Sequence, residues 1–149
     1  MSEDAHSFSA EAILNRLHGE GLRITAGRRN ILNVLFKADK PLSLQDIQDR
    51  AAAEGSGPDY ATVFRTIAVL DRLRVVHKVN LQRACSYYEL NDPSKHYDHI
   101  VCTGCGKVVL IDIPCPLAET EQHVAERYGF RNLSHSLEFF GRCSDCLER

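Results

Sequence analysis

The segment Cys102-Thr-Gly-Cys105 and its counterpart Cys143-Ser-Asp-Cys146 decide the fold of the C-terminal third of this chain. Two residues between paired cysteines let both sulfurs reach one ion from a tight turn. Four thiolates complete a tetrahedral shell around Zn²⁺, and such a closed shell is structural rather than catalytic. Two disulfide bonds or a redox-active CxxC motif are the alternatives. We favour zinc because two such pairs occur without a secretory context.

The composition bounds the class of protein. The chain has 149 residues, of which 44% are hydrophobic, so it can form one mid-sized domain or two small ones. Residues 1–4 are polar and acidic, which predicts no secretory leader, and every apolar run is too short to cross a bilayer. We therefore expect a cytoplasmic protein. Base exceeds acid over residues 1–83 and acid exceeds base over residues 84–149, which weakly supports nucleic-acid binding by the first half.

The first half of the chain predicts helices followed by two strands. Four residues can each cap a helix whose apolar side chains recur at helical spacing: Ser9, Thr25, Ser43 and Asp59. Two short β-like runs follow, over residues 75–79 and 86–89. This order is typical of a winged helix-turn-helix, although a generic helical subdomain fits the periodicity nearly as well.

The pattern changes to β structure after a linker of turn-forming residues at 91–94. Strand-like runs at residues 97–101 and 108–113 flank the first cysteine pair, and another at 133–140 leads to the second. Between them, residues 117–128 predict a helix. Its inward side chains are expected to be Leu117, Val124 and Ala125.

The fourth predicted helix carries the side chains expected to read DNA. In a helix-turn-helix, the first turn of the recognition helix enters the major groove. Ala61, Thr62 and Arg65 lie near one exposed face, where Thr can contact a thymine methyl and Arg can bind guanine. Arg23 and Arg28 could hold phosphates or enter the minor groove. Each arginine alone is better explained as a solvated charge, so the prediction depends on their shared place in a winged helix.

A second group of potential ligands surrounds the linker. It comprises His77, Cys85, Glu89, His96, Asp98 and His99. Imidazole, carboxylate and thiolate together predict a mixed metal site with ligands from both sides of the linker. A lone histidine is more often an ordinary surface or core residue, so the prediction depends on the clustering. Cys115 lies between two prolines, fits neither ligand group and is predicted to be a buried thiol.

Several motifs, in order, resemble the ferric uptake regulator superfamily over about residues 10–146. They are Gly21-Leu-Arg-Ile-Thr-Ala-Gly-Arg-Arg, Ala61-Thr-Val-Phe-Arg-Thr, His96-Tyr-Asp-His-Ile-Val-Cys-Thr-Gly-Cys-Gly and Ser134-His-Ser-Leu-Glu-Phe-Phe-Gly-Arg-Cys-Ser-Asp-Cys. The resemblance implies a homodimeric, metal-dependent repressor that binds palindromic double-stranded DNA. The implied fold is α+β, with a winged helix and an α/β dimerisation domain. We expect the winged helix over residues 1–90, a hinge over 91–96 and the zinc-stabilised dimerisation domain over 97–149.

The resemblance also assigns metal ligands. Cys102, Cys105, Cys143 and Cys146 match the structural zinc site of the family. The expected regulatory ligands are His77, Cys85, Glu89, His96 and His99. His96, Asp98 and His135 match members of an additional site, in which Ala118 occupies the aligned carboxylate position. Glu119 or Glu121 could supply the carboxylate instead, and Glu119 is the expected ligand.

The regulatory metal is expected to be Zn²⁺, with Fe²⁺ as the alternative. His77 matches a ligand position of zinc-responsive members, whereas Tyr97 and Leu110 stand where iron-responsive members usually place ligands. Sulfur and imidazole ligands favour Zn²⁺ over Fe²⁺. We therefore expect a zinc-responsive repressor of metal uptake genes, and an iron-responsive or peroxide-responsive regulator is the alternative. A zinc enzyme and an interaction module without DNA affinity are rivals from other classes, and no substrate-pocket motif supports the enzyme.

Overall fold

In the computed structural model, the described residues are 8–55 and 57–149. The chain divides into two compact units, of which the first ends at Lys95 and the second begins at His96. The expectation drawn from residues 1–4 concerns a segment outside the described residues, and the hinge over 91–96 stays a prediction. No helix in the described part of the chain is both long enough and apolar enough to span a bilayer.

The first unit has the element order of a winged helix. Its elements are α1 (Ala10–Gly19), α2 (Ala26–Lys37), β1 (Leu42–Ser43), α3 (Leu44–Ala53), α4 (Tyr60–Arg72), β2 (Val76–Val79) and β3 (Tyr87–Leu90). The four predicted N-caps are confirmed, because each side chain accepts a hydrogen bond from the backbone N–H three residues on. These local bonds fix where each helix begins.

The helices of the first unit pack around one apolar core. Leu17, Ile31, Ile47 and Leu70, from α1, α2, α3 and α4 in turn, are each fully buried. The strands form an antiparallel sheet in the order β1-β3-β2. The predicted hairpin is confirmed, and the two-residue β1 was not anticipated, because a pair of residues carries no periodicity. Packing against this core fixes the position of α4, the helix that follows α3 in the chain.

The second unit is built on a three-stranded sheet in the order β5-β4-β6. Its elements are β4 (Asp98–Cys102), β5 (Val108–Ile111), α5 (Ala118–Tyr128), β6 (Glu138–Gly141) and α6 (Ser144–Leu147). Strands β4 and β5 form an antiparallel hairpin around the first cysteine pair. Strand β6 pairs with β4 in parallel, with Cys102 opposite Gly141, so the second cysteine pair emerges beside the first.

The second unit leaves apolar surface exposed. The prediction that Val124 faces inward is wrong, because Val124 is exposed, and Leu117 and Ala125 are only half-buried; no described residue of α5 is fully buried. A unit this small has too little chain to cover both its helix and its sheet. Ile100, Val109 and Phe139 are register partners across the sheet, and their exposed fractions are 44%, 43% and 45%.

Candidate metal centres and nucleic-acid interface

The four CxxC cysteines converge at one end of the second sheet. Their sulfur atoms all lie within 4.8 Å of one another. The Sγ atoms of Cys102 and Cys146 are 3.7 Å apart, and those of Cys105 and Cys143 are 3.8 Å apart. Sulfurs at about 2.3 Å from one tetrahedral Zn²⁺ would be separated by about 3.8 Å. The cluster therefore has the dimensions of a four-thiolate zinc site, and all six cysteines, which lie within the described residues, are free thiols rather than disulfides.

The backbone around this cluster favours negative charge. Backbone N–H groups of Gly104, Cys105 and Cys143 donate to Cys102 Sγ at 3.4, 3.5 and 3.3 Å. The bonds from Cys105 and Cys143 are the main reason that the pKa of the Cys102 thiol is lowered to about 5. Hydrogen bonds with Cys143 and Cys102 instead raise the pKa of the Cys146 thiol to about 12. Four thiolates this close together would repel one another, and a bound Zn²⁺ would neutralise that repulsion.

Gly104 allows the turn to approach the sulfurs. A Cβ atom at this position would lie 2.8 Å from Cys146 Sγ, which is closer than real Cβ contacts allow. Gly106 closes the same turn with a φ of 77°, in the left-handed region that favours glycine. The space that the cluster occupies therefore favours glycine at position 104, and the backbone conformation of the turn favours glycine at position 106.

A second group of ligand atoms in the same unit involves His96, Cys115 and His135, which lie within 4.8 Å of one another. Cys115 Sγ is 3.2 Å from His135 Nε2. The ring centroids of His96 and His135 are 5.1 Å apart in an edge-on arrangement. The sequence predicted Cys115 to be a buried thiol outside any ligand group, whereas it is half-buried and lies close to both histidines.

Two carboxylates contact the histidines of this group. Glu121 contacts His135 Nδ1, and Asp98 Oδ1 lies 3.1 Å from His96 Nε2. Asp98 is 2% exposed, so its charge is nearly withdrawn from water. Glu119, the carboxylate expected in the additional site, is exposed on α5, and Glu121, two residues further on and on a different side of the helix, makes the contact instead.

The remaining regulatory candidates lie in both units. In the first, His77 Nε2 is 2.8 Å from Glu89 Oε1 across the β2–β3 pair, and Cys85 is exposed between these strands. In the second, His99 is 2% exposed on β4, where its backbone N–H donates to the Leu137 carbonyl. The prediction that these residues hold one ion with His96 stays a prediction.

Helix α4 presents one side of its first two turns to solvent. Asp59 Oδ1 accepts from the Thr62 backbone N–H at 2.7 Å. The Thr62 hydroxyl, together with this backbone bond, lowers the pKa of the Asp59 carboxyl. Ala61 and Arg65 are exposed and Thr62 is half-buried. The sequence analysis did not select Tyr60 and Phe64, which are 47% and 56% exposed on this helix. Exposed aromatic side chains at the start of a helix were the signal that could have found them.

The two arginines expected to contact the DNA backbone occupy different environments. Arg23 is exposed, whereas Arg28 is buried at 9% exposure. Arg28 Nη1 donates to the Arg23 carbonyl at 2.6 Å, and its Nε donates to Thr66 Oγ1 at 3.3 Å. Arg28 therefore supports the backbone that carries Arg23, and its guanidinium is not directed to solvent as expected.

Comparison with known proteins agrees with this fold. The sequence profile of the ferric uptake regulator family matches residues 19–140. The chain belongs to the ferric uptake regulator family. Members of this family are metal-responsive transcriptional regulators rather than enzymes.

Curated members of the ferric uptake regulator family align over most of the chain. The ferric uptake regulation protein of Neisseria gonorrhoeae is 32% identical over 132 residues, covering 88% of this chain and 90% of its own length. That of Klebsiella pneumoniae is 35% identical over 132 residues, covering 86% and 83%. These relatives carry the iron-uptake name and give no specific support to the zinc-responsive subtype.

Solved structures confirm the α+β fold with an N-terminal winged helix. The ferric uptake regulator of Helicobacter pylori superposes with a TM-score of 0.75 at 23% identity, covering 95% of each chain, and thus shows the fold alone. An iron-containing ferric uptake regulator from Francisella tularensis superposes with a TM-score of 0.67 at 30% identity, covering 85% of this chain and 96% of its own.

Proposed function

We propose that this chain is a cytoplasmic repressor of metal-uptake genes that binds palindromic DNA when metal is bound. The observation that carries the proposal is the exposed start of α4. Val63 and Ile67 anchor one side of the helix in the core, while Ala61 and Arg65 face solvent. This arrangement supports entry of the helix into a major groove, where Arg65 binds a guanine edge or a phosphate.

A second copy of the chain is the proposed partner of the apolar sheet face. The row formed by Ile100, Val109 and Phe139 is an exposed apolar patch, and such a patch on a small unit indicates an interface with a partner. Family regulators bind their operators as dimers. Two copies related by twofold symmetry present two α4 helices, which matches the symmetry of a palindrome.

Iron is our first candidate for the regulatory metal, because the curated relatives from Neisseria gonorrhoeae and Klebsiella pneumoniae are named for ferric uptake. This reverses the preference for zinc drawn from the sequence. A zinc-responsive regulator is the second candidate, supported by the Cys115 thiol, which lies close to both His96 and His135. The ligands proposed for regulation include His77 and Glu89, already 2.8 Å apart, and the buried His99.

The proposed mechanism is thermodynamic linkage. If metal and DNA favour the same conformation, each raises the affinity for the other by the same factor. Couplings of this kind are about 1–3 kcal/mol, or roughly 5–150-fold in affinity. We therefore expect DNA to tighten metal binding as much as metal tightens DNA binding.

The test is a DNA-binding titration with duplexes selected from a random pool by the metal-loaded protein. Affinity is measured anaerobically with Fe²⁺, Zn²⁺, Mn²⁺ or chelator. We expect Fe²⁺ to raise affinity within the range above, and His99→Gln to remove this response. Arg65→Ala should weaken binding in every metal state.

Arg72→Ala is the matched control for Arg65. Arg72 lies at the other end of α4, where its guanidinium pairs with Glu20 at 2.6 Å. Its replacement should leave DNA affinity unchanged. Selection of no preferred duplex, or equal affinity with metal and chelator, would refute the proposed function. A response to Zn²⁺ alone would replace the first candidate metal by the second.

A further inference from the structure

We propose that Asn91 is a positioning residue that fastens the linker to the turn that ends α4, the helix proposed to read DNA. The conformational freedom of the linker then begins after Lys95, where the first unit ends, and not at residue 91, where the predicted hinge begins. The inference rests on the proposed function, because its consequence is the strength with which metal and DNA influence each other.

Two hydrogen bonds tie Asn91 to the turn that follows α4. Its side-chain Nδ2 donates to the Arg74 carbonyl at 3.0 Å, and its backbone N–H donates to the Val75 carbonyl at 2.8 Å. The second bond continues the pairing of β2 and β3 beyond its last register pair, Val76 with Leu90. Asn91 is therefore attached to the sheet and to the end of α4 at the same time.

The turn that receives these bonds holds a strained residue. Arg74 has a φ of 58° although it is not glycine, and its side chain is exposed. In this region the Cβ atom lies too close to the following carbonyl oxygen, which costs free energy. Such a conformation persists only where the surroundings hold it, and it is concentrated at binding and switching sites. The end of α4 is therefore a place where the structure maintains strain.

Backbone bonds and the Asn91 side chain hold this turn together. The Arg74 N–H donates to the Asp71 carbonyl at 2.9 Å, and the Val75 N–H donates to the Leu70 carbonyl at 2.8 Å. These bonds join the turn to its own helix. The bond from Asn91 Nδ2 comes from the linker, so it makes the strained turn depend on where the linker lies.

The next residues of the linker form a hydrogen-bonded turn of their own. Asp92 Oδ1 accepts from the Ser94 backbone N–H at 2.9 Å and from the Ser94 hydroxyl at 2.7 Å. The Lys95 N–H donates to the Asp92 carbonyl at 3.0 Å. Residues 91–95 are thus an ordered arm that continues from the end of α4.

This attachment bears on the proposed linkage. Metal that restrains the linker changes the position of α4 only if the linker and α4 move together. Asn91 supplies that connection. Loss of its side-chain bonds should weaken the coupling between metal and DNA, while the affinity for DNA without metal stays the same.

The first test measures the coupling in the full chain. DNA affinity is titrated with the selected duplexes in Fe²⁺ and in chelator, with Zn²⁺ replacing Fe²⁺ where only Zn²⁺ raises affinity. The ratio of the two affinities is the coupling factor. We expect Asn91→Ala to lower this factor by roughly 2–30-fold, which is the range for residues that transmit coupling without contacting either ligand.

Arg16→Met is the matched control. Arg16 Nη2 donates to the Leu73 carbonyl at 3.0 Å, so it makes a comparable bond to the same turn from α1 instead of from the linker. Its replacement should lower stability and leave the coupling factor unchanged. An unchanged factor in Asn91→Ala, or an equal fall in both variants, overturns the proposal.

The double variant Asn91→Ala with Arg74→Gly separates positioning from simple stabilisation. Glycine adopts a φ of 58° without the Cβ clash, so it should restore the stability that Asn91→Ala loses, measured by urea unfolding. The coupling factor should remain low, because the linker is still detached. Recovery of the factor together with stability would show that Asn91 only supports the turn, and overturns the proposal.

Amide exchange measured by NMR tests the attachment without DNA. Exchange in the wild-type chain should be slower at residues 91 and 95 than at His96. Asn91→Ala should speed exchange at Arg74 and leave exchange at Thr62, at the other end of α4, unchanged. Exchange at residues 91 and 95 as fast as at His96 overturns the proposal. If DNA binding proves independent of metal, the proposed function fails, and these exchange rates alone decide whether the linker is fastened to α4.

Discussion

The Arg28 guanidinium donates to the backbone carbonyl of Arg23, five residues earlier, at 2.6 Å. This bond spans the N-terminus of α2 and holds the loop that presents Arg23 to solvent. A second bond, to the fully buried hydroxyl of Thr66, ties the same guanidinium to α4. One buried side chain thus links the loop of Arg23 to the helix proposed to read DNA.

Replacing Arg28 with Met should destabilise the first unit by about 1–3 kcal/mol, because the Arg23 carbonyl and the Thr66 hydroxyl lose a charged donor. Urea unfolding followed by circular dichroism measures the change. Arg29→Met is the control, since Arg29 is exposed and its Nη1 forms no more than a surface ion pair, at 3.7 Å from Glu11 Oε2. It should cost no more than about 1 kcal/mol. Equal losses for both variants would contradict the supporting role of Arg28.

Replacing Ile100 with Glu should convert the proposed dimer to monomers. A charge in the middle of the row formed with Val109 and Phe139 would have to be desolvated in the interface. Analytical ultracentrifugation over a range of concentrations gives the dissociation constant. Lys107→Glu, an exposed charge reversal in the same unit, should leave association unchanged. Dimerisation of Ile100→Glu at wild-type affinity would place the interface elsewhere.

Replacing Cys102 with Ser should remove the tightly held zinc and unfold the second unit. Cys102 is buried and accepts three backbone hydrogen bonds, so its loss affects both the ion and the turn. The measurement is zinc per chain after chelator washing, with thermal unfolding alongside. Cys85→Ser, an exposed thiol in the first unit, should retain this zinc. Retention of zinc by Cys102→Ser would rule out the four-thiolate shell.

Replacing Ser43 with Ala should cost the first unit about 1 kcal/mol, seen as a fall in Tm of about 4–8 °C. Ser43 and Asp46 form a capping box at the start of α3, and Ala leaves the Asp46 backbone N–H without its side-chain acceptor, while the Asp46 carboxylate still accepts from the backbone N–H at position 43. Differential scanning calorimetry measures the change. Ser43→Gly should cost only a few tenths of a kcal/mol. A larger loss for Gly than for Ala would show that the cap is not the stabilising element.

The cap at Asp59 should make the start of α4 sensitive to acid. Hydrogen bonds with Thr62 lower the pKa of the Asp59 carboxyl from its usual 3.8. Since the folded pKa is the lower one, the stabilisation is present above pH 3.8 and is lost as the pH falls through the folded value. Amide exchange at Thr62, measured by NMR across this range, should rise on acidification. Asp59→Asn, which caps without titrating, should show no such rise.

The elements that the sequence predicted are those set by local interactions. Each N-cap bond joins residues three apart, so Ser9, Thr25, Ser43 and Asp59 could be identified without tertiary information. The same holds for the cysteine pairs, whose spacing already determines that two sulfurs share a turn. Predictions of burial on α5 were wrong because they assumed that an apolar stripe is covered within one chain.

The position of Cys115 beside His135 could not be predicted from the sequence. It lies 20 residues from His135 and beside two prolines, and no local rule connects these positions. The same limit applies to Glu121, which the fold selects over Glu119 because it is the one that reaches His135.

By itself, the sequence determined the helix starts, the hairpins and the two CxxC pairs, because hydrogen bonds and ligand spacing within short segments fix them. Tertiary structure alone decided that β6 pairs in parallel with β4 and so brings the two cysteine pairs together, that Arg28 turns inward and that Cys115 lies close to two histidines. These features depend on contacts between segments far apart in the chain, whose geometry is set only when the sheet and the core have formed.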